Sequence, residues 1–138
     1  MSDRNDPIHL CIERWHQHMA HTLHGGFDAV LHPDVVFHSP VVFTPQVGRD
    51  ITMLYLGAAE ATIGGPDSGF HYTKQVLDGH HAVLEFETTM DGKFVNGVDI
   101  ITCDDDSMIT EFKVMVRPLQ AMNVVHAQMM QMLESMAP

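Results

Sequence analysis

Residues 94–117, FVNGVDIITCDDDSMITEFKVMVR, read as two long strands joined by an acidic turn. The first half is rich in Val and Ile. Asp104, Asp105, Asp106 and Ser107 have the short polar side chains that bond their own backbone and tolerate turn geometry. After the turn the chain alternates, with Phe112, Val114 and Val116 on one face and Glu111, Lys113, Met115 and Arg117 on the other. The same period of two puts Asp99 on a face with Val95, Gly97, Ile101 and Cys103. A carboxylate in that company is costly to ionise, which makes it the most informative residue in the chain.

Upstream of this hairpin, FHYTKQVL at 70–77 and the alternating segment 81–89 read as two more strands. In the second, Ala82, Leu84, Phe86 and Thr88 share a face, with Glu85 and Glu87 opposite. Asp78-Gly79 and Asp91-Gly92 are tight-turn dipeptides, so the four strands form a meander. Before it, residues 7–24 read as a helix, with Asp6 as N-cap and Pro7 in its first turn. Its stripe is Ile8, Cys11, Ile12, Trp15, Met19, Thr22 and Leu23, ended by Gly25-Gly26. A short helix or turn over 27–31 follows, and then a strand over 34–43 interrupted by Pro40. Asp50 is the expected cap of a further helix that buries Ile51, Leu54, Tyr55, Ala58 and Ala61 or Thr62. Residues 64–69 read as a loop without the lysine of a phosphate-binding motif. Pro118 stops the last strand, and residues 119–135 form a terminal helix with Leu119, Met122, Val125, Met129 and Met132 or Leu133 inward. Helices separated from a run of antiparallel strands mean an α+β class, in one domain over 1–138.

The net charge of −11, from 7 basic and 18 acidic residues, argues against nucleic acid or an anionic membrane surface as a partner. No apolar run approaches the roughly 18 residues of a membrane span, and MSDRNDP lacks a signal-type apolar segment, so a soluble cytoplasmic protein is expected. Cys11 and Cys103 lie in apolar periodic segments and suggest no disulfide framework. His16, His18, His21 and His24 read as a solvated face of the first helix. They contain no HExxH spacing, and no metal site is expected. The methionines of the terminal helix read as adaptable apolar filler, for a pocket lid or a subunit contact.

The element order, with VVFHSPV at 35–41, GRD at 48–50 and VDIITCDDDSMITEFKVMVRP at 98–118, resembles the cone-shaped superfamily of nuclear transport factor 2, ketosteroid isomerase and the SnoaL-like polyketide cyclases. The resemblance covers nearly the whole chain. It implies a curved antiparallel sheet packed against N-terminal helices, with a C-terminal helix and a ligand-sized mouth. Ketosteroid isomerase needs a carboxylate base and an oxyanion hole made by a tyrosine and a protonated aspartic acid. Asp99 matches the protonated acid, whereas Ser39 stands where the base should lie and Trp15 where the tyrosine should lie. Only one of the three parts is thus present.

The SnoaL-like branch implies one pocket acid or base, here Asp99, with His38 at the entrance as a second proton carrier. Ser39, Trp15, Tyr55, Phe86, Phe112 and Val114 would line an apolar pocket for a small, mostly apolar carbonyl or hydroxyl compound. The implied chemistry is cofactor-independent isomerisation, cyclisation or dehydration. A non-catalytic binding or assembly module is the alternative. Epoxide hydrolysis, a third option, would want a second carboxylate and an arginine beside Asp99. Val98, Ile100 and Met115 on the outer sheet face, through which this family commonly pairs, imply a homodimer.

Overall fold

The computed structural model describes residues 5–64 and 68–136, so the middle of the 64–69 loop lies outside the described residues. Three helices and six strands follow the order α1 (Pro7–Met19), a 3-10 turn (Gly26–Ala29), β1 (Leu31–His38), β2 (Gln46–Val47), α2 (Arg49–Thr62), β3 (His71–Asp78), β4 (His81–Met90), β5 (Lys93–Cys103), β6 (Ile109–Arg117) and α3 (Leu119–Met136). The sheet order is β2-β1-β6-β5-β4-β3.

The meander is antiparallel throughout, as the two Asp-Gly turns require. The sheet as a whole is mixed, because β1 pairs in parallel with β6. This corrects the all-antiparallel expectation. The intervening chain crosses over before the fourth meander strand returns beside β1, a long-range placement that local pattern does not carry. β1 ends at His38, ahead of Pro40, and its register with β6 shifts between Leu31 and Val36. The irregularity accommodates Pro33, which has no N–H to give a ladder.

Other boundaries differ for local reasons. The first helix stops at Met19, and His21 takes a left-handed φ of 60° just beyond it. The Asp6 carboxylate does not cap that helix. It accepts the Gly79 N–H at 2.9 Å and so ties the helix start to the β3–β4 turn. α2 is preceded by Gly48, not capped by Asp50, and it buries Thr52, Leu56 and Ala58. It packs against both β1 and α3, so its inward face is wider than the predicted stripe and turned from it. In α3 the buried residues are Ala121, Val125 and Met129, while Leu119 is exposed. The acidic turn behaves as its chemistry dictates, with Asp104 Oδ1 accepting from the N–H groups of Asp106 and Met108, both at 2.9 Å.

Face assignment within the hairpin holds. Val95, Gly97, Asp99, Ile101 and Cys103 are buried on the inner face of β5, and Ala82, Leu84, Phe86 and Thr88 on that of β4. Gly97 is needed for a steric reason. A Cβ there would run into the Phe86 ring and stand 2.6 Å from the Met115 carbonyl oxygen. Its absence lets the Phe86 ring lie over the β5 backbone. Gly97→Ala should therefore cost about 1–3 kcal/mol through overpacking, read as a lowered denaturation midpoint at constant m-value.

Candidate functional site

α1 brings Trp15 and Met19 to the inner face of the sheet, and α2 brings Leu56, Ala59, Glu60 and Ile63 across from them. Between these helices and the sheet lies a cavity of about 50 Å³, walled also by Gly64, Phe70, Tyr72, Phe86, Phe112 and Val114, with Asp99 in its lining. Pockets that enclose drug-sized ligands run to roughly 300–1,000 Å³ and a closed cavity that holds a benzene ring to about 150 Å³, so the space as it stands encloses only part of a single ring, and a ring-sized ligand reaches out past Glu60, which is partly exposed.

Three side chains form a directed chain of hydrogen bonds at one end of the cavity. Trp15 Nε1–H donates to the Tyr72 hydroxyl at 2.9 Å, and Tyr72 O–H donates to Asp99 Oδ2 at 2.7 Å. The direction is forced. An indole nitrogen can only donate, so the tyrosine oxygen must accept from it, and its single proton goes on to Asp99. The tyrosine hydroxyl is thereby committed, and the carboxyl oxygen Oδ1 is left to meet a ligand.

Asp99 is 6% exposed. Burial raises its pKa from the usual 3.8 to about 7, a rise that the Tyr72 hydrogen bond partly offsets. The same burial, with the Asp99 charge close by, drives the Tyr72 phenol well above its usual range. Near neutral pH the site thus holds a neutral tyrosine and a carboxyl group poised between its two forms, the condition under which proton transfer is most effective.

The structure brings together Trp15, Phe86, Asp99, Phe112 and Val114. It does not bring His38 or Ser39 to them. His38 points away from the inner face, where its Nε2 pairs with Glu111 Oε2 at 3.1 Å, because it occupies the opposite parity to the buried Phe37. The expected second proton carrier is therefore not at the pocket. Ser39 Oγ accepts the Val41 N–H at 3.1 Å and shapes the bend before Pro40. Tyr55 packs behind the cavity, its ring 5.8 Å from that of Phe37. Arg49 donates to the Leu31 carbonyl oxygen and faces Asp28, and Arg117 donates to Asn96, so neither arginine flanks Asp99.

Two features escaped the sequence reading. Tyr72 was hidden by a register shift between Tyr72 and Lys74, which places Tyr72 and Leu77, five residues apart, on the same face. Strict alternation puts them on opposite faces. The other is a histidine–carboxylate pair. His18, expected on a solvated face, is buried between the rings of Trp15 and Phe27, and its Nε2 lies 2.5 Å from Glu60 Oε1. The available signal was the spacing of Leu56, Ala59, Glu60 and Ile63, which sets one carboxylate inside an apolar helix stripe. Among the described residues, no three His, Cys, Asp or Glu side chains converge as metal ligands would.

The raised Asp99 pKa has a definite consequence for stability. Between the usual carboxylate pKa and about 7 the folded state holds a proton that the unfolded chain has lost, so stability falls as pH rises through that window. The loss is complete above about pH 7 and amounts to on the order of 4 kcal/mol. Asp99→Asn removes it. Urea titrations from pH 4 to 8 should show the variant gaining on the wild type by that order, and a constant difference would mean that Asp99 ionises without penalty.

Comparison with known proteins agrees with this architecture. The SnoaL-like domain matches residues 12–112. Among solved structures, a steroid delta-isomerase from Pseudomonas aeruginosa is 30% identical, covering 97% of this chain and 95% of its own, with a TM-score of 0.86. An uncharacterized protein with a cystatin-like fold from Silicibacter pomeroyi is 26% identical over 94% of this chain and 86% of its own, with a TM-score of 0.76. A putative SnoaL-like polyketide cyclase from Jannaschia shares the fold at 15% identity, covering 92% of this chain and 99% of its own, with a TM-score of 0.65. No curated protein matches the sequence. With an NTF2-like α+β fold and a domain match over most of its length, the chain belongs to the SnoaL-like domain family.

Proposed function

We propose that the protein binds a small, mostly apolar carbonyl compound in the cavity and uses Asp99 to deliver a proton, or a hydrogen bond, to the ligand oxygen. The observation that carries this reading is the committed Tyr72 hydroxyl, which leaves Asp99 as the member of that hydrogen-bonded chain able to address a ligand. The apolar remainder of the lining, including Phe86, Phe112 and Val114, suits a hydrocarbon body. Proton transfer by the protein's own side chains covers isomerisation, cyclisation and dehydration. A positioned acid contributes roughly 100- to 10,000-fold to such steps. The similarity to a steroid delta-isomerase supports the same chemical class, while the cavity volume favours a smaller substrate.

A ketone oxygen only accepts hydrogen bonds, so a ketone needs the protonated carboxyl. Cyclohexanone binding, followed by ligand-observed NMR, should weaken as pH rises through about 7. In Asp99→Asn the amide remains a donor, and binding should become independent of pH. Tyr72→Phe deletes the hydrogen bond that lowers the Asp99 pKa, so the transition should move to higher pH. Ketone binding that is flat with pH in the wild type would sink this reading.

We also propose that the outer sheet face pairs with a second copy of the chain. Val76 (55% exposed), Val83 (39%) and Met115 (51%) lie on that face with the half-buried Val98 and Ile100. Val76 pairs with Val83, Val83 with Ile100 and Val98 with Met115, so the apolar positions are contiguous across four strands. Light scattering should give a dimer mass for the wild type and a monomer mass for Val83→Lys combined with Met115→Lys. A double variant that keeps the wild-type mass would exclude this face.

A further inference from the structure

We propose that Glu60, oriented by His18, is the base that works opposite Asp99. This rests on the reading of Asp99 given above and adds the partner which that reading lacks, since Ser39 and His38 are not at the cavity. Glu60 lines the same cavity as Asp99 but comes from the other wall, on α2, whereas Asp99 rises from the sheet. Its Oε1 is held 2.5 Å from His18 Nε2. His18 is itself fixed between aromatic neighbours, with ring centroids 5.5 Å from Trp15 and 4.1 Å from Phe27. The Glu60 side chain retains 27% of its exposure, so it meets both the cavity and water.

Stability alone gives little reason for this pair. A partly exposed histidine–carboxylate contact contributes on the order of 0–1 kcal/mol, and Leu56, Ala59 and Ile63 show that the same helix face accepts apolar side chains. A base on one wall and a hydrogen-bond donor on the other is what enolisation needs. The Glu60 carboxylate takes a proton from the carbon next to the carbonyl. The C–H electron pair becomes the new C=C bond, the carbonyl π pair moves to oxygen, and the Asp99 carboxyl donates to that oxygen. Reversal returns the proton from Glu60 to the same carbon, or to the far end of a conjugated enolate, so every proton and electron pair is accounted for. The substrate class is a small, single-ring ketone with an acidic α C–H bond.

The test is deuterium exchange into the α positions of cyclohexanone in heavy water, followed by proton NMR at saturating ketone. Affinity and melting temperature are measured alongside. Wild type should accelerate exchange over buffer. Glu60→Gln should lose about 100- to 10,000-fold of the acceleration with ketone affinity and melting temperature kept, and Glu60→Asp should restore part of it. His18→Gln, which keeps a donor for Glu60, should retain more exchange than His18→Leu at equal affinity. Glu60→Gln exchanging at the wild-type rate while Asp99→Asn is slow would overturn the Glu60 assignment and leave the Asp99 reading intact. No exchange above buffer by the wild type would overturn both.

Discussion

A carboxyl group held out of water by a hairpin that cannot turn it outward is the constraint on which the site depends. Asp99 sits in the middle of β5, paired with Leu84 on one side and Val114 on the other. Moving its side chain to solvent would require a one-residue register slip, and that would also expose Val95, Ile101 and Cys103. The apolar burial of the whole strand thus holds one unfavourable group in place. The cost is limited by Tyr72, which supplies the hydrogen bond that a buried carboxyl must have.

Packing above the sheet converts this buried carboxyl into a directional one. Trp15 has no acceptor, so its position next to Tyr72 sets the polarity of the entire chain of hydrogen bonds. The aromatic side chains around it do double duty. Trp15 lies 5.0 Å from Phe112 in the core, and Phe70 meets both Tyr72 and Phe86. The same contacts that stabilise the core therefore fix the proton-bearing atoms, and loosening either would loosen the other. Gly97 belongs to this arrangement too, because the Phe86 wall of the cavity rests on the space where a side chain would have been.

The two carboxylates at the cavity come from elements far apart in the chain and are held by different means. Asp99 is set by strand register and an O–H donor, Glu60 by a helix face and an imidazole. Their surroundings differ. Asp99 is enclosed and favours its neutral form, while Glu60 keeps contact with water.

Much of this was legible without coordinates, for reasons tied to short-range physics. Period-two alternation located Asp99 and its buried company, two Asp-Gly pairs announced the meander, and the spacing of Ile8, Cys11, Ile12 and Trp15 revealed the inward face of α1. Those signals depend on neighbours two to four residues away, which any window of sequence contains. The parallel β1–β6 pairing, the Tyr72 bulge and the meeting of His18 with Glu60 depend on contacts across 42 residues or more, or on one extra residue in one strand. None of these leaves a periodic trace. The amino-acid sequence by itself therefore determined which carboxylate is buried. Only the tertiary structure decided which side chains it answers to, because hydrogen-bond partners are chosen by proximity in space and not by spacing along the chain.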